Sequence, residues 1–435
     1  MNYIAKNLGE RRVRNPLSDL LSTGDHVFVS DDIQVAHSPY AGGKKTPRDE
    51  DFTFELAGPR EKLYFNPRKI RSAVVTCGGL CPGLNAVIRA IVMESWYRYG
   101  CIDVIGIWYG YGGLGSGALR MPIQLTPGLV DEIHLDGGSF LGSSRGGTED
   151  MEPLVDRLQE LGVSILYTIG GDGTLRGAHN IAEIAIKRGI NLSVVGVPKT
   201  IDNDISYIQR SFGFETAFSK AVDSIYAAHV EAKGAPNGIG LVKLMGRHSG
   251  FIAANAALAM NDANFVLIPE VPFDLDGENG FLNHLMVRMK QRAHAVICVA
   301  EGAGQGLLKK DTASQKQDAS GNVVLEDIGI YMKERIKSYF QRQGMDINLK
   351  YIDPSYIIRS APPVPNDSIF CALLGQYAVH AGMAGKTDVV IGQWNNIYTH
   401  VPIELAISKR KKIDPGSRFW LNVIEATGQP ISMAN

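Results

Sequence analysis

Short apolar runs that end in glycine-rich or polar turns recur along this chain. Strands of the buried type are predicted at residues 73–77, 102–107, 163–169 and 192–197, where β-branched residues dominate. Helices are predicted at 82–99 and 175–188, each after a glycine-rich turn, and Pro82 suits a first helical turn. Because strand, turn and helix alternate, the pattern predicts a parallel sheet with helices on both faces.

The alternation restarts after residue 204. Further strands are predicted at 239–243, 265–268, 295–300 and 388–392, and further helices at 214–229, 251–260, 280–292, 328–342 and 368–384. Residues 303–325 are rich in Lys, Gln, Gly and Ser, which predicts an exposed, mobile loop. Residues 1–69 lack the alternation and are interpreted as an N-terminal extension that packs on the body or on a partner subunit. The predicted fold is α/β, with two Rossmann-like three-layer lobes and a cleft between them.

Composition narrows the class of protein. The length of 435 residues corresponds to two or three domains, and 45% hydrophobic with 20% charged residues is typical of globular proteins. A net charge of −1 gives no reason to expect nucleic acid or an acidic membrane as a partner. The basic run at 409–412 is interpreted as the solvated face of a helix rather than a binding patch.

The spacing of the cysteines and the first residues of the chain indicate in which cellular compartment the protein is expected. Five cysteines without framework spacing do not suggest disulfides, and buried or partly buried thiols are favoured over a metal pair at Cys77 and Cys81. The first residues show no signal-peptide pattern, and no apolar run approaches the ~20 residues that span a bilayer. We therefore expect a soluble, cytoplasmic protein in a reducing compartment.

Three stretches that follow predicted strands carry the candidate chemistry. They are residues 78–85 (GGLCPGLN), 170–174 (GGDGT) and 198–204 (PKTIDND). Ligands bind at the carboxyl edge of open α/β sheets, and bare amides at a helix N-terminus bind phosphates. Asp172, between glycines, can hold Mg²⁺ against such phosphates. Each stretch alone could be a turn without a ligand, but two such turns in successive units, one with an acid, favour a phosphate site.

Together the three stretches resemble the 6-phosphofructokinase family. The resemblance continues through residues 142–145, 245–247, Glu301 and 356–359, and spans about residues 70 to 410. It implies ATP-dependent phosphorylation of fructose 6-phosphate at O1 in glycolysis, with Mg²⁺ as cofactor, by an allosteric homodimer or homotetramer. Lobes in this family exchange segments. The resemblance therefore implies a nucleotide lobe of 70–208 plus about 358–408, and a sugar-phosphate lobe of 209–357 plus about 409–435.

The resemblance also assigns a nucleotide site. The implied contacts are Gly79, Tyr111, Arg145, Gly171, Asp172, Gly173, Thr174 and Gly177, with Asp172 as the metal ligand. Gly146 stands where the classical bacterial enzymes of the family place an aromatic residue, which changes the expected adenine contacts.

The acceptor site and the catalytic groups follow from the same resemblance. Asp202 is the candidate general base, Thr200 would hold the transferred phosphoryl group, and Lys199 and Arg247 would neutralise its charge. Asp204 is expected to orient the loop or a metal-bound water. The remaining implied substrate contacts are Ile201, Met245, Gly246, Glu301, Lys350, Tyr356 and Arg359. Arg359 would clamp the 6-phosphate, since a guanidinium fork matches phosphate geometry.

Two positions bear on the choice of donor. Pyrophosphate-using relatives carry Asp where this chain has Gly173, and glycine leaves room for a nucleotide α-phosphate. Lys199, in contrast, is typical of pyrophosphate users. The combination resembles the ATP-dependent branch of plants and trypanosomatids, so ATP is the expected donor. The alternatives are a pyrophosphate-dependent enzyme with the same acceptor and a non-catalytic nucleotide or sugar-phosphate sensor.

Overall fold

The chain divides into two compact units in a computed structural model. The structure describes residues 2–19, 27–38, 52–146, 150–308 and 324–435. Unit 1 contains residues 1–200, 205–213 and 360–409, and unit 2 contains residues 201–204, 214–359 and 410–435. The central part of the predicted loop at 303–325 lies outside the described residues.

Unit 1 is built on a large twisted sheet, ten-stranded within the described residues. Its strands, in spatial order, are Asn2–Tyr3, Thr53–Leu56, Ile397–Pro402, Val389–Trp394, Ser193–Pro198, Val163–Gly170, Arg71–Thr76, Val104–Ile107 and Ile123–Gln124, with Gln34–Ala36 beside Thr53–Leu56. The five strands from Val389–Trp394 to Val104–Ile107 are parallel. Antiparallel pairing adds Ile397–Pro402 on one side and Ile123–Gln124 on the other. Two small antiparallel pairs join Lys6–Asn7 to Lys386–Thr387 and Val13–Arg14 to Lys62–Leu63.

Helices cover this sheet. The α-helices of unit 1 are Leu84–Met93, Pro127–Val130, Glu152–Glu160, Asp172–Lys187, Pro365–Met383 and Ile403–Ala406, and Leu84–Met93 continues into a π-helical turn at Glu94–Tyr99. Short 3₁₀ helices are Pro16–Asp19, Pro67–Lys69, Gly110–Leu114 and Ile133–Leu135. The central strands are continuously apolar and buried because both faces of the sheet are covered.

Unit 2 contains a parallel sheet, four-stranded among the described residues. The strand order is Phe265–Leu267, His294–Ala300, Gly238–Leu244 and Asn348–Ile352. Its helices are Phe214–Gly234, Phe251–Met260, Phe281–Arg292, the 3₁₀ turn Gln305–Leu307, Ile328–Arg342, Ser355–Ser360 and Arg418–Thr427. A core of its own, which includes Ile239, Phe281 and Phe340, packs between sheet and helices.

The prediction of two α/β lobes is confirmed. Residues from the first 69 positions supply strands to the large sheet of unit 1 rather than a separate body. All five cysteines are buried free thiols, as predicted. The interpretation of residues 409–412 as a helix face was wrong: the segment lies between helices Ile403–Ala406 and Arg418–Thr427, and Arg410 is only partly exposed. None of the helices in the described ranges is both long enough and apolar enough to cross a membrane.

Candidate active site

The carboxyl ends of three parallel strands in unit 1 carry most of the predicted nucleotide residues. Strand Arg71–Thr76 leads into Gly78 and Gly79, strand Val163–Gly170 leads into Gly171 and Asp172, and strand Ser193–Pro198 leads into Lys199. The three strands are neighbours in the sheet. Their parallel register therefore places the three turns at one edge, as expected for a ligand site of this fold.

The turn at residues 170–174 is compact and opens a helix. A Cβ atom on Gly170 would lie 2.1 Å from Thr174 Oγ1, so only glycine fits at this position. Helix Asp172–Lys187 begins at once, and Leu175 N–H donates to the carbonyl of Gly171. The first N–H groups of an α-helix have no partner inside the helix and carry the positive end of its dipole. The turn therefore offers the donors that an anionic phosphate requires.

Tyr111 supports this turn from beneath. Its side chain is 1% exposed, and its hydroxyl donates to the carbonyl of Thr174 over 2.7 Å. The ring also packs against Gly177, where an added Cβ would lie 2.7 Å from Tyr111 Cε2. Tyr111 and Gly177 thus fix the first turn of the helix, and their direct contact with a nucleotide stays a prediction.

Lys199 and Arg145 converge on the other glycine turn. Lys199 Nζ donates to the carbonyl of Gly79 over 2.6 Å, and Lys199 N–H donates to the carbonyl of Gly170. Arg145 Nη2 lies 3.4 Å from the place that a Cβ of Gly79 would occupy. A buried ammonium and an exposed guanidinium therefore flank the glycine turn. Gly146 follows with a positive φ of 88° at the end of a described range.

Asp172, the predicted metal ligand, is the first residue of its helix and 16% exposed at its side chain. Arg176, one helical turn later, donates to both carboxylate oxygens, Nε to Oδ2 at 3.1 Å and Nη2 to Oδ1 at 3.3 Å. Mg²⁺ is commonly held by one or two carboxylates together with phosphates and waters. A carboxylate at the start of a helix, beside a glycine turn with backbone donors, fits that requirement.

Gly173 faces open space. An added Cβ would meet no described atom within 4 Å, and the residue is exposed. A side chain at this position would therefore project from the turn without a clash. A side chain at this position would not require a change in the fold.

In unit 2 the segments that follow two neighbouring strands contact each other. Strand Gly238–Leu244 leads into Met245, Gly246 and Arg247, and the neighbouring strand His294–Ala300 leads into Glu301. The amide of Gly302 donates to the carbonyl of Gly246 over 3.0 Å. Arg247 Nε lies 3.8 Å from Glu301 Oε1, with both side chains partly exposed. The structure therefore brings the predicted substrate residues of two strands together.

Asp202 belongs to this cluster. The backbone amide of Arg247 hydrogen-bonds to its carboxylate, and Ser249 Oγ donates to its carbonyl over 2.9 Å. Burial, and then the negative charges of Asp204 and Glu301, raise the pKa of Asp202 to about 7, although the bond from Arg247 and the charge of Arg359 oppose this. A carboxylate with a pKa near neutrality can both accept and release a proton, as a general base must.

Arg359 supplies a cation to the same surroundings. It follows strand Asn348–Ile352 on helix Ser355–Ser360, and its positive charge acts on Asp202. Its Nε is buried and has no hydrogen-bond partner within the part of the chain that the structure describes. An unsatisfied buried guanidinium donor is costly, and an anionic ligand would satisfy it.

The other predicted residues lie in different settings. Thr200 accepts a hydrogen bond from Ser211 Oγ at its carbonyl, and Ile201 is buried. Lys350 is exposed inside strand Asn348–Ile352, two residues before its end, so it is not part of the strand-end cluster of unit 2. Tyr356 is 83% exposed.

Sequence reasoning missed several residues that hold the cluster in place. Arg410 Nη1 donates to Asp204 Oδ2 over 2.6 Å, and Glu270 accepts from the amides of Gly250 and Ile413. These partners lie far apart in sequence, and no local pattern distinguishes them. Only the basic run at 409–412 and the strand-end position of Glu270 could have suggested a role.

Comparison with known proteins identifies relatives of this chain. The ATP-dependent 6-phosphofructokinase of Borreliella burgdorferi is 49% identical, over 100% of this chain and 98% of that protein. The ATP-dependent 6-phosphofructokinase of Trypanosoma brucei brucei is 47% identical, over 86% of this chain and 76% of that protein. The crystal structure of the pyrophosphate-dependent phosphofructokinase from Marinobacter aquaeolei has the same fold, with a TM-score of 0.67 and 19% identity, over 82% of this chain and 91% of that chain.

The sequence profile described as phosphofructokinase matches residues 71–382. This range includes both glycine turns of unit 1 and, in unit 2, Asp202, the Arg247 turn, Glu301 and Arg359. Together with the full-length relatives, this match shows that the chain belongs to the phosphofructokinase family.

Proposed function

We propose that this protein transfers the γ-phosphoryl group of ATP to O1 of fructose 6-phosphate and produces fructose 1,6-bisphosphate and ADP, a step of glycolysis. The observation that carries the proposal is Asp202, a carboxylate with a pKa near 7 that is hydrogen-bonded by Arg247 and lies in the field of Arg359. The ATP-dependent enzymes that match almost the whole chain support it.

The chemistry assigned to Asp202 is general-base catalysis. Its carboxylate takes the proton of the 1-hydroxyl as that oxygen attacks the γ-phosphorus in line. The O1–P bond forms, the bond from the γ-phosphorus to the β,γ-bridging oxygen breaks, and that bond's electron pair leaves with ADP. Proton transfer accounts for part of the rate, and most of the remainder comes from positioning and charge stabilisation.

The donor is assigned to the turns of unit 1. Amides of the two glycine turns bind the phosphates, while Lys199 and Arg145 neutralise their charge. Asp172 would hold Mg²⁺, which supplies further neutralisation of the donor phosphates. Thr200, the last residue of unit 1 before Asp202, holds the transferred phosphoryl group.

The acceptor is assigned to unit 2. Arg359 clamps the 6-phosphate, since its fixed fork suits a phosphate and its Nε finds no hydrogen-bond partner in the described part of the chain. Glu301 accepts a hydrogen bond from a sugar hydroxyl, and Arg247 stabilises charge on the phosphoryl group. Met245, Gly246 and Ile201 shape the sugar site, and Lys350 and Tyr356 are assigned to its phosphate end.

The finer assignments concern setting and assembly. We place the enzyme in the cytoplasm as an allosterically regulated homodimer or homotetramer. The support is the family to which the chain belongs, and the mass in solution, measured by light scattering, tests the assembly.

A side-by-side assay of the purified protein tests the function. Fructose 6-phosphate is offered with ATP or with pyrophosphate at equal Mg²⁺, and fructose 1,6-bisphosphate is quantified. We expect product with ATP, because the open space at Gly173 leaves room for a nucleotide. Product with pyrophosphate alone would overturn the assigned donor, and no product with either donor would overturn the function.

A further inference from the structure

The C-terminal segment of unit 2 holds the backbone and side chain of Asp204. Arg410 Nη1 donates to Asp204 Oδ2 over 2.6 Å, and Lys411 N–H donates to the carbonyl of Asp204 over 2.8 Å. Asp204 is 6% exposed, so its charge is largely removed from water. A buried carboxylate is costly unless it is paired, and Arg410 provides the pair.

The same segment is anchored to the Arg247 turn through Glu270. Ile413 N–H donates to Glu270 Oε1 over 2.9 Å, and Gly250 N–H donates to both Glu270 oxygens, at 3.1 Å and 3.0 Å. Ser249, which precedes Gly250, is fully buried, and its Oγ donates to the carbonyl of Asp202. Hydrogen bonds therefore hold the segment 202–204 from both of its ends.

Charges of both signs act on Asp202 and Asp204. Asp204 and Glu301 act as like charges on Asp202, and the hydrogen bond from the backbone N–H of Arg247 and the positive charge of Arg359 oppose them. Among the described residues, the charged and titratable groups that act on Asp204 include Asp202, Arg410, Lys411 and His248. Asp204 raises the pKa of Asp202 more than Glu301 does, so neutralisation of Asp204 affects how strongly Asp202 is perturbed.

Lys411 supplies less of that neutralisation, because it loses its charge as the pH rises through neutrality. Burial lowers the pKa of Lys411 to about 7, against the attraction of Asp204. Its ammonium nitrogen lies 5.3 Å from the centre of the Phe251 ring. A guanidinium, in contrast, keeps its charge throughout this range. Arg410 is therefore the cation that pairs with Asp204 under working conditions.

We propose that Arg410 is a positioning residue for phosphoryl transfer, because its guanidinium fixes Asp204 and cancels the charge of that carboxylate beside the general base Asp202. This inference rests on the function proposed above. It gives the part of the basic run that belongs to unit 2, residues 410–412, a role in the site. It also separates Asp204, a held and neutralised carboxylate, from Asp202, the reactive one.

The test compares pH–rate profiles of kcat for the full chain and its variants. In Arg410→Gln the charge of Asp204 is no longer neutralised, so Asp202 holds its proton more tightly. The acid limb of the profile, the range in which kcat falls as the pH is lowered, is therefore expected to move up by about one pH unit. Arg410→Lys restores a cation and brings the limb back towards the wild-type position. The matched control is Lys409→Gln, which removes an exposed neighbouring charge and leaves the limb where it was.

Asp204 provides the second arm of the test. Asp204→Asn alone is expected to lower the acid limb, and it abolishes the upward shift when combined with Arg410→Gln. If Arg410→Gln does not fold, the position of the acid limb in the pH–rate profile of Asp204→Asn tests the proposal instead. A lower kcat with an unmoved limb in Arg410→Gln, or an unmoved limb in Asp204→Asn, would overturn the proposal.

A readout without turnover separates this proposal from the proposed function. The carboxyl groups are labelled with ¹³C-aspartate, and the Asp202 signal is identified by its loss in Asp202→Asn. We expect its titration midpoint to rise in Arg410→Gln and to stay in Lys409→Gln. If the wild type turns over no fructose 6-phosphate, the function fails, and this titration still decides the role of Arg410.

Discussion

The ammonium of Lys199 donates a hydrogen bond to the carbonyl oxygen of Gly79 over 2.6 Å, although the two residues lie 120 positions apart. The main chain of Lys199 also bonds to Gly170 in the other glycine turn. One residue therefore links both glycine turns of unit 1 and brings a positive charge to them.

Lys199→Met should weaken use of the donor more than use of the acceptor. The variant keeps the apolar stem but loses the charge and the bond to Gly79, and a hydrogen bond of a charged group is worth about 10- to 100-fold in rate. The kcat/KM for ATP, measured at saturating fructose 6-phosphate, is the readout. Lys187→Met, which removes a charge from the exposed end of helix Asp172–Lys187, is the control and should behave as wild type. Equal losses for both substrates would contradict the donor role.

Asp202→Asn should abolish most turnover without unfolding the chain. Asparagine keeps the size of the side chain but cannot take the hydroxyl proton, and loss of a general base costs about 10²–10⁴-fold in kcat. The wild-type kcat should fall as the pH drops below about 7, because protonation of Asp202 inactivates the base. Asp223→Asn, on an exposed side chain of unit 2, serves as the control. Near-wild-type turnover of Asp202→Asn would remove this residue from the mechanism.

Arg359→Ala should raise the KM for fructose 6-phosphate far more than the KM for ATP. The buried Nε of the guanidinium has no hydrogen-bond partner among the described residues, and a charge-assisted phosphate contact contributes about 1.5–3 kcal/mol. Initial rates with each substrate varied in turn give the two KM values. Arg342→Ala, at the exposed end of helix Ile328–Arg342, is the matched control. Similar changes in both KM values would indicate a structural role for Arg359.

Gly173→Asp should depress the use of ATP sharply while the fold is kept. The new side chain meets no described atom within 4 Å, so the effect is electrostatic rather than steric. Two like charges ~4 Å apart repel by ~4 kcal/mol at an intermediate dielectric, an upper figure for a wet site. Pyrophosphate has no α-phosphate to repel. The measurement is kcat/KM for both donors, with Gly128→Asp as an equally open control in unit 1. Full ATP activity in Gly173→Asp would refute the idea that the residue at position 173 determines which donor is used.

His400 should make the protein sensitive to acid. Burial lowers the pKa of His400 to about 4, although Glu55 accepts its Nδ1–H over 3.0 Å, so the ring is neutral in the folded state. Its contribution is complete above the unfolded pKa near 6.5 and is lost as the pH falls towards 4, on the order of 3 kcal/mol. Below that, Glu55 adds a further loss, because its attractive partners hold its pKa near 2 against the effect of burial.

The variant His400→Asn separates this effect from general acid unfolding. Asparagine can donate to Glu55 from the place of Nδ1 but cannot take up a proton. The free energy of unfolding, measured with urea at pH 7 and pH 5, should therefore fall less between these values than in the wild type. A fall of the same size in both proteins would show that other groups cause the acid sensitivity.

Local patterns predicted the elements that depend on local chemistry. Helices Phe251–Met260 and Ile328–Arg342 begin and end where the sequence predicts them. The glycine turns were visible because a residue without a side chain is needed where Thr174 packs against Gly170. Helix Asp172–Lys187 starts three residues earlier than predicted, because Asp172 and Gly173 already form its first turn.

Pairing between segments that lie far apart in the chain could not be predicted from local sequence patterns. Strand Ile397–Pro402 was missed, although its antiparallel partner Val389–Trp394 was found in part. The bond of Arg410 to Asp204 joins residues 206 positions apart, and a run of basic residues ordinarily indicates a solvated surface. Which partner a charged side chain finds depends on the folded topology, and local composition does not encode it.

The path of the chain between the two units has a consequence for protein engineering. The chain passes from one unit to the other after residues 200, 204, 213, 359 and 409, so neither unit is an uninterrupted stretch of sequence. A single cut cannot release either of them whole. Expression of one unit alone would require new loops to rejoin its pieces, and a shortened gene that ends before Arg410 would remove the partner of Asp204 while it leaves every recognised motif intact.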